Sequence, residues 1–226
     1  MEDKGPRFVV TDGDTEDNQI TNDLQNPTYY RELDNDPGEN YSETIQAWAD
    51  RGLHSGEIDS KQHAFVTNPE NTLNATPKPM IKTHKVDLVG NRPHPVPIRN
   101  ISVGVGTRVH SLSKLCQVAI EHLTTREHLP RRDKSTNQVI ERLILINETQ
   151  APLSASHVLA FPDIRSMYPN VDVEDALESV RRRHNQSNGT LEMSTNFLLE
   201  CLRISLECNC VEFKGKFYIP CRGCAY

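Results

Sequence analysis

One carboxylate in the sequence stands where a strand is predicted to end and a loop to begin. The apolar run Val158–Phe161 predicts a buried strand, and Asp163 follows it after a proline. Tyr168 comes five residues later, and Asp172 then caps a predicted amphipathic helix. A carboxylate at a strand end is held stiffly yet reaches solvent, which suits it to bind a divalent metal ion. A lone Asp after a strand is more often a turn or capping residue, so the rest of the chain must decide.

The segment Asp163-Ile164-Arg165-Ser166-Met167-Tyr168 resembles motif A of reverse transcriptases, and most of all the retroelement branch that includes Penelope-like elements. In this family the 3'-hydroxyl of a primer attacks the α-phosphate of a deoxynucleotide, with Mg2+ ions at the reacting oxygens. The resemblance implies that Asp163 binds metal through its carboxylate and Ile164 through its backbone carbonyl. It also implies that Tyr168 lies under the nucleotide sugar and excludes a 2'-hydroxyl.

Basic residues earlier in the chain resemble phosphate-binding motifs in the fingers of the same family. Asp3-Lys4-Gly5 precedes a short predicted strand, and the resemblance implies that Lys4 contacts the phosphates of the incoming nucleotide as a point charge. Residues 77–85 resemble the family's Pro-Lys-x-His-Lys motif, and an ordinary solvated basic loop is the alternative. The motif's candidate contacts to nucleic acid are Lys78, Lys82, His84 and Lys85.

Further landmarks follow in the family's order. Arg99 comes after Val96-Pro97-Ile98, whereas the family has Arg-Pro-Ile, and an odd shift along a strand turns a side chain to the other face. The resemblance implies that Arg99 holds phosphates of the incoming nucleotide, and this displacement weakens that assignment. Leu112-Ser113-Lys114 matches the family's Leu-Ser-Lys, and residues 211–219 predict a hairpin around Lys214-Gly215. Gly223 stands where a motif B glycine supports the template–nucleotide pair.

The sequence departs from the family pattern at three points. Pro162 stands directly before Asp163, where it costs a ladder hydrogen bond in a central strand. Pro220 takes the place of motif B's polar residue. The chain stops inside motif B and contains no Asp-Asp pair, whereas two-metal phosphoryl transfer needs further carboxylates. We therefore expect a truncated or degenerate copy that is inactive alone.

Charge is unevenly distributed along the 226 residues. Residues 1–76 carry 5 Lys/Arg and 16 Asp/Glu, while residues 77–226 carry 20 and 15. The basic excess coincides with the motifs, and a local basic surface can bind nucleic acid on a chain whose net charge is -6. With no long apolar run and no apolar stretch at the N-terminus, we expect no membrane span and no signal peptide. We expect an intracellular protein, nuclear or cytoplasmic.

The predicted fold class is α/β, a fingers subdomain plus an incomplete palm. Residues 1–76 are assigned to an acidic, partly irregular part of the fingers, 77–150 to fingers with the basic motif and two helices, and 151–226 to a partial palm. The first helix is predicted from Ser42 to Leu53, with Ser42 as its cap and Gly52 as its stop signal, and residues 54–76 are predicted to be rich in turns. Later helices are predicted from Thr107, Ser135, Asp172 and Leu191. Their apolar stripes and Trp48 are assigned to the core.

Six cysteines leave a different class of function open. Without a signal peptide, reduced thiols are expected, yet Cys208-x-Cys210 and Cys221-x-x-Cys224 offer zinc ligands at an unusually tight first spacing. The primary interpretation is a fragment of an RNA-directed DNA polymerase, which in complete form uses Mg2+, an RNA template, a DNA primer and a dNTP. The alternatives are a non-catalytic nucleic-acid-binding remnant, which could also use Arg181–Arg183, and a zinc-stabilised interaction module. The oligomeric state is left open.

Overall fold

The computed structural model describes residues 13–82, 88–89, 92–93, 98–124, 136–149, 171–187 and 191–221. These residues form a mixed α/β fold, as predicted. The helices are α1 (Gly13–Leu24), α2 (Gly38–Ser55), α3 (Ser60–Val66), α4 (His110–Thr124), α5 (Thr136–Thr149), α6 (Val173–Gln186) and α7 (Thr195–Glu207). The strands are β1 (Tyr30–Leu33), β2 (Thr76–Ile81), β3 (Leu88–Val89), β4 (Arg92–Pro93), β5 (Ile98–Val103), β6 (Val211–Phe213) and β7 (Lys216–Pro220).

The chain divides into two compact units. One comprises Met1–Leu123 with Ser166–Tyr226, and the other comprises Thr124–Arg165. In the second unit α5 is the described element. No helix of the described residues has both the length and the apolar content that crossing a bilayer requires. The division into fingers and palm stays a prediction.

The described strands form three small antiparallel sheets, and the predicted hairpin belongs to the three-stranded one. Its strand order is β1-β7-β6, and the turn between β6 and β7 has positive φ at Lys214 (51°) and Gly215 (73°). Two successive positive φ angles are typical of the type I' turn that suits a two-residue hairpin. The second sheet pairs β2 with β5, and the third pairs β3 with β4. The sequence prediction of a hairpin at Lys214-Gly215 is confirmed.

The main core lies among α2, α4 and α7. The ring of Trp48 on α2 stacks on that of Phe197 on α7, with centroids 4.2 Å apart and an interplanar angle of 15°. Trp48 is fully buried, which confirms its assignment to the core. The apolar stripes of α4 and α7 also face this core, at Leu112, Cys116, Ala119, Leu123, Leu198 and Cys201.

Helix α2 is longer than the sequence predicted at both ends. It begins at Gly38, and Ser42 is an interior residue whose hydroxyl donates to the Gly38 carbonyl at 3.0 Å. Gly52 does not stop it, and the helix ends instead at Gly56, which has a φ of 76°. Gly52 is needed for packing, because a Cβ there would lie 2.3 Å from Cζ of Phe197.

Three further elements also differ from the prediction. Helix α7 begins at Thr195, capped by Ser194, and not at Leu191 as predicted. Residues 60–66, predicted as turns, form α3 behind a capping box in which the Asp59 side chain accepts from the Gln62 backbone and the Gln62 side chain accepts from the Asp59 backbone. Thr107 does not cap α4, since its hydroxyl donates to the Gly104 carbonyl at 2.8 Å and the helix begins at His110. Asp172 does cap α6, accepting from Glu174 N at 2.9 Å, as predicted.

The apolar stripe of α5 does not form a core with the described residues of its unit. Ile140, Leu143 and Ile144 are 49%, 46% and 52% exposed. The sequence assigned this stripe to the core, and that prediction is wrong for these three side chains. A stripe at helical spacing predicts which face is apolar, but which surface covers it depends on tertiary structure.

We predict that Gly52→Ala destabilises the protein by a net of up to about 2 kcal/mol, because the new methyl group overpacks the Trp48–Phe197 stack at a cost of about 1–3 kcal/mol. This loss outweighs the gain of about 1 kcal/mol that alanine brings to a helix interior. Gly104→Ala is the control, since nothing lies within 4 Å of a Cβ there and its stability should hardly change. Urea unfolding measures both variants, and equal stabilities would contradict the packing assigned to Gly52.

Candidate nucleic-acid interface

Two basic side chains lie together on the exposed face of the β2–β5 sheet. Lys78 is opposite Ile101 and Met80 is opposite Arg99 in the antiparallel register. Side chains of directly opposite residues project from the same face of a sheet, and so do side chains two residues apart on one strand. Lys78 and Arg99 therefore project from the same face as diagonal neighbours. Such neighbours have Cα atoms about 7–8 Å apart. Both side chains are exposed, and together they form what we call the basic face.

The opposite face of this sheet packs inward and fixes the orientation. Ile81 on β2 is 1% exposed, and Ile98 on β5 packs against the second apolar cluster. Asn100 donates to the Asp23 carboxylate of α1 at 2.7 Å. A one-residue slip in register would bury the charges of the basic face, so the apolar residues behind it determine that it faces solvent.

Proline in β2 adds stiffness to the position of Lys78. Pro77 and Pro79 flank it, and each proline ring fixes its own φ. The predicted displacement of Arg99 within its motif does not separate it from this lysine, since the register places both on one face. Lys82 directly follows β2 and is half-buried.

Most of the residues predicted for catalysis, for metal or nucleotide binding and for nucleic-acid contact lie outside the described residues. These are Lys4, His84, Lys85, Asp163, Ile164, Tyr168 and Gly223. The Mg2+ site and the sugar-contacting tyrosine therefore stay predictions. Within the described ranges, no three side chains of the metal-binding types come together.

The arginines that end α6 are engaged in contacts within the fold. Arg181 and Arg182 both lie near the Glu178 carboxylate, at 3.4 and 3.8 Å. Arg183 donates from Nε to the Leu123 carbonyl at 2.9 Å, where it satisfies a backbone acceptor in the last turn of α4. The contact of Arg183 with α4 favours a structural role for that residue, whereas Arg181 and Arg182 make only exposed pairs within α6.

A groove of about 490 Å3 adjoins the basic face, and the sequence reasoning did not predict it. Thr76 and Val103, which are opposite each other at the end of the β2–β5 sheet, line one side of it. Leu73 and Val105 add apolar walls and are 58% and 71% exposed. The signal available in the sequence was the Gly104–Gly106 turn, which the structure places directly beside this groove.

The five cysteines among the described residues are free thiols in differing environments. Burial raises the pKa of both Cys208 and Cys210 to about 11. A hydrogen bond with the Cys116 thiol, together with burial, raises the pKa of Cys201 well above its usual value. Cys221 is exposed. Cys224 lies outside the described residues, so the four-cysteine zinc site is not tested as a whole.

Comparison with known proteins yields no relative: no protein-family model, curated protein or solved structure matches the chain. The resemblance to reverse transcriptases therefore depends on the order of the motifs in the sequence. Functional assignment depends on that order and on the geometry of the described residues.

We predict that Cys221 reacts first among the described cysteines when the folded protein is treated with iodoacetamide at pH 8. The thiolate is the reacting species, and a raised pKa keeps Cys208 and Cys210 protonated at that pH. Their labelling should accelerate as the pH rises from about 9 toward about 11. Peptide mass spectrometry measures each site, with urea-unfolded protein as the fully reactive control.

Two outcomes of this labelling would change the account. Modification of Cys208 and Cys210 at the rate of Cys221 would contradict the burial described above. Protection that disappears on adding a zinc chelator would favour the zinc-stabilised module instead.

Proposed function

We propose that the chain forms the fingers and the first part of the palm of a reverse transcriptase-like polymerase of a retroelement. The complete enzyme would copy an RNA template by extending a DNA primer with dNTPs. The proposal joins the motif resemblance in the sequence to one geometric observation. That observation is the shared exposed face of Lys78 and Arg99.

The basic face has the features that backbone recognition requires. An ammonium and a guanidinium side by side can both contact the phosphates of one polynucleotide strand, and such contacts position nucleic acid without reading its sequence. The face is solvent-exposed, and it carries both cations side by side. The basic face is therefore our candidate for binding nucleic acid.

The order of elements also supports the proposal. The motif containing Lys78 begins on a strand, and the strand carrying Arg99 pairs with it. The helix that contains Leu112-Ser113-Lys114 comes next, and the hairpin of β6 and β7 comes last. Helix α6 begins at Val173, three residues after Asn170, and Asp172 caps it, as the sequence pattern after Tyr168 predicts.

In the proposed enzyme, Mg2+ would stabilise the charge on the attacking and leaving oxygens of the transferred phosphoryl group. The Asp163 carboxylate and the Ile164 carbonyl would hold it. Tyr168 would lie against the deoxyribose, and Lys4 would hold phosphate. This chain contains no Asp-Asp pair to supply further carboxylates.

A non-catalytic nucleic-acid-binding protein is the second candidate. The observation that favours it is Pro162, which precedes the only carboxylate of motif A and removes a backbone donor beside it. The basic face does not depend on Asp163, so this function would survive loss of the metal site.

We predict that Lys78→Ala and Arg99→Ala each weaken binding of an RNA–DNA hybrid about equally for unrelated sequences. Each variant should reduce the slope of log affinity against log salt by about 1, because one phosphate contact is lost. Fluorescence anisotropy at several salt concentrations measures this slope. Lys61→Ala is the matched control, since it removes one exposed positive charge on α3. If Lys61→Ala weakened hybrid binding as much as the other two variants do, the loss of affinity would come from net charge alone. That result would contradict the proposed interface.

We predict that this chain alone shows no primer extension with Mg2+ or Mn2+. Without a second set of carboxylates, transition-state stabilisation falls by several kcal/mol, and each 1.36 kcal/mol is about tenfold in rate. A primer-extension assay measures catalysis. The binding titration run beside it measures nucleic-acid binding, which both candidate functions share. Extension that disappears in Asp163→Ala would contradict the argument and assign the missing carboxylates to this chain or to a second copy.

A further inference from the structure

The groove beside the basic face has walls that differ chemically from its floor. Its walls are the exposed apolar side chains of Leu73, Val103 and Val105, joined by Phe213. Exposed apolar side chains are ordinary when scattered, but these line a single concavity of about 490 Å3. Burial of such walls favours an apolar or amphipathic occupant over water.

The polar residues that line the groove form a hydrogen-bonded network centred on Asn74, and we call this network the floor. Its members are Asp36, Asn74, Arg108 and Glu212. The Asn74 side-chain NH2 donates to Asp36 Oδ1 at 3.1 Å and to Glu212 Oε2 at 3.3 Å. Its carbonyl oxygen accepts from Nη1 of Arg108 at 2.9 Å. The guanidinium of Arg108 also lies 3.6 Å from Asp36 Oδ2. The network thus fixes the positions of both carboxylates that line the groove.

Charge on the floor is not balanced. Arg108 is matched by Asp36, and Lys214 at the rim is matched by Asp17, whose carboxylate lies 2.7 Å from its Nζ. Glu212 is the carboxylate left over, and its one hydrogen bond to the described residues is the long bond from Asn74. A partly buried carboxylate with spare acceptor capacity favours a cationic donor.

We propose that this groove binds a lysine or arginine side chain flanked by apolar residues, presented by an extended segment of a partner protein. The cation would pair with Glu212, and the flanking apolar side chains would cover Leu73 and Val105. A nucleic-acid strand is disfavoured here, since its phosphates would meet Glu212 and Asp36. The basic face and the groove are then adjacent sites for opposite charges.

The test uses 15N-labelled full-length chain and the capped peptides acetyl-Leu-Arg-Leu-amide, acetyl-Leu-Gln-Leu-amide and acetyl-Leu-Glu-Leu-amide. NMR titration should shift the amide signals of Leu73, Val103 and Val105 with the arginine peptide. Affinity for the glutamine and glutamate peptides should be at least about tenfold lower, since they lack the charge-assisted hydrogen bond.

Variants separate the charge from the walls. Glu212→Gln keeps an acceptor for Asn74 and should lower affinity for the arginine peptide about tenfold, to that of the glutamine peptide. Glu43→Gln, an exposed carboxylate on α2, is the control and should leave affinity unchanged. Val105→Ser should weaken the arginine and glutamine peptides alike, because it removes wall area and no charge.

Three outcomes would overturn the proposal. Equal shifts with all three peptides would mean an apolar patch without charge selection, and no shift at millimolar peptide would mean no site. Displacement of the arginine peptide from Leu73 and Val105 by a single-stranded oligonucleotide would assign the groove to the nucleic-acid path. None of these results depends on polymerase activity, so the experiment tests the groove independently of the proposed function.

Discussion

Four backbone hydrogen bonds made by Leu73 and Ala75 hold the strand that carries the candidate interface. Leu73 donates to the Gly106 carbonyl and accepts from Arg108 N, both at 3.2 Å. Ala75 donates to the Cys210 carbonyl at 2.9 Å and accepts from Glu212 N at 2.7 Å. The segment before β2 is thus joined on one side to the turn before α4 and on the other to the β6–β7 hairpin. The basic face and the groove both depend on this short connection, because it sets where β2 begins and which way its side chains point.

The packing of helix α1 explains how an acidic chain can present a basic surface. The acidic helix α1 packs behind the β2–β5 sheet, where Asp23 accepts from Asn100 on the inward face and Asp17 pairs with Lys214. Lys78 and Arg99 lie on the outward face. The acidic side chains of α1 and the two cations therefore lie on opposite sides of one sheet. Salt screens charges that are more than about one Debye length apart, so a bound ligand responds to the charges near it more than to the net charge of the chain.

Local signals in the sequence were enough for several elements. Lys214-Gly215 predicted the hairpin because few residue pairs adopt two positive φ angles, and Asp172 predicted the start of α6 because its carboxylate satisfies free backbone donors. The capping box at Asp59 and Gln62 was equally local and was overlooked. Gly52 could not be interpreted locally: its role depends on Phe197, 145 positions away in the printed sequence. The groove, and the pairing of β1 with β7, also form between residues that are far apart in the sequence. Hydrophobic periodicity carries no information about such contacts.

The central claim is that the face shared by Lys78 and Arg99 contacts the nucleic acid. The most direct measurement is photo-crosslinking of the chain to an RNA–DNA hybrid that carries 4-thiothymidine, followed by peptide mass spectrometry. The account predicts adducts concentrated on peptides spanning residues 76–82 and 98–103, and their loss in the Lys78→Ala, Arg99→Ala double variant. Adducts concentrated on α6 around Arg181 and Arg182, or spread evenly over the chain, would contradict it.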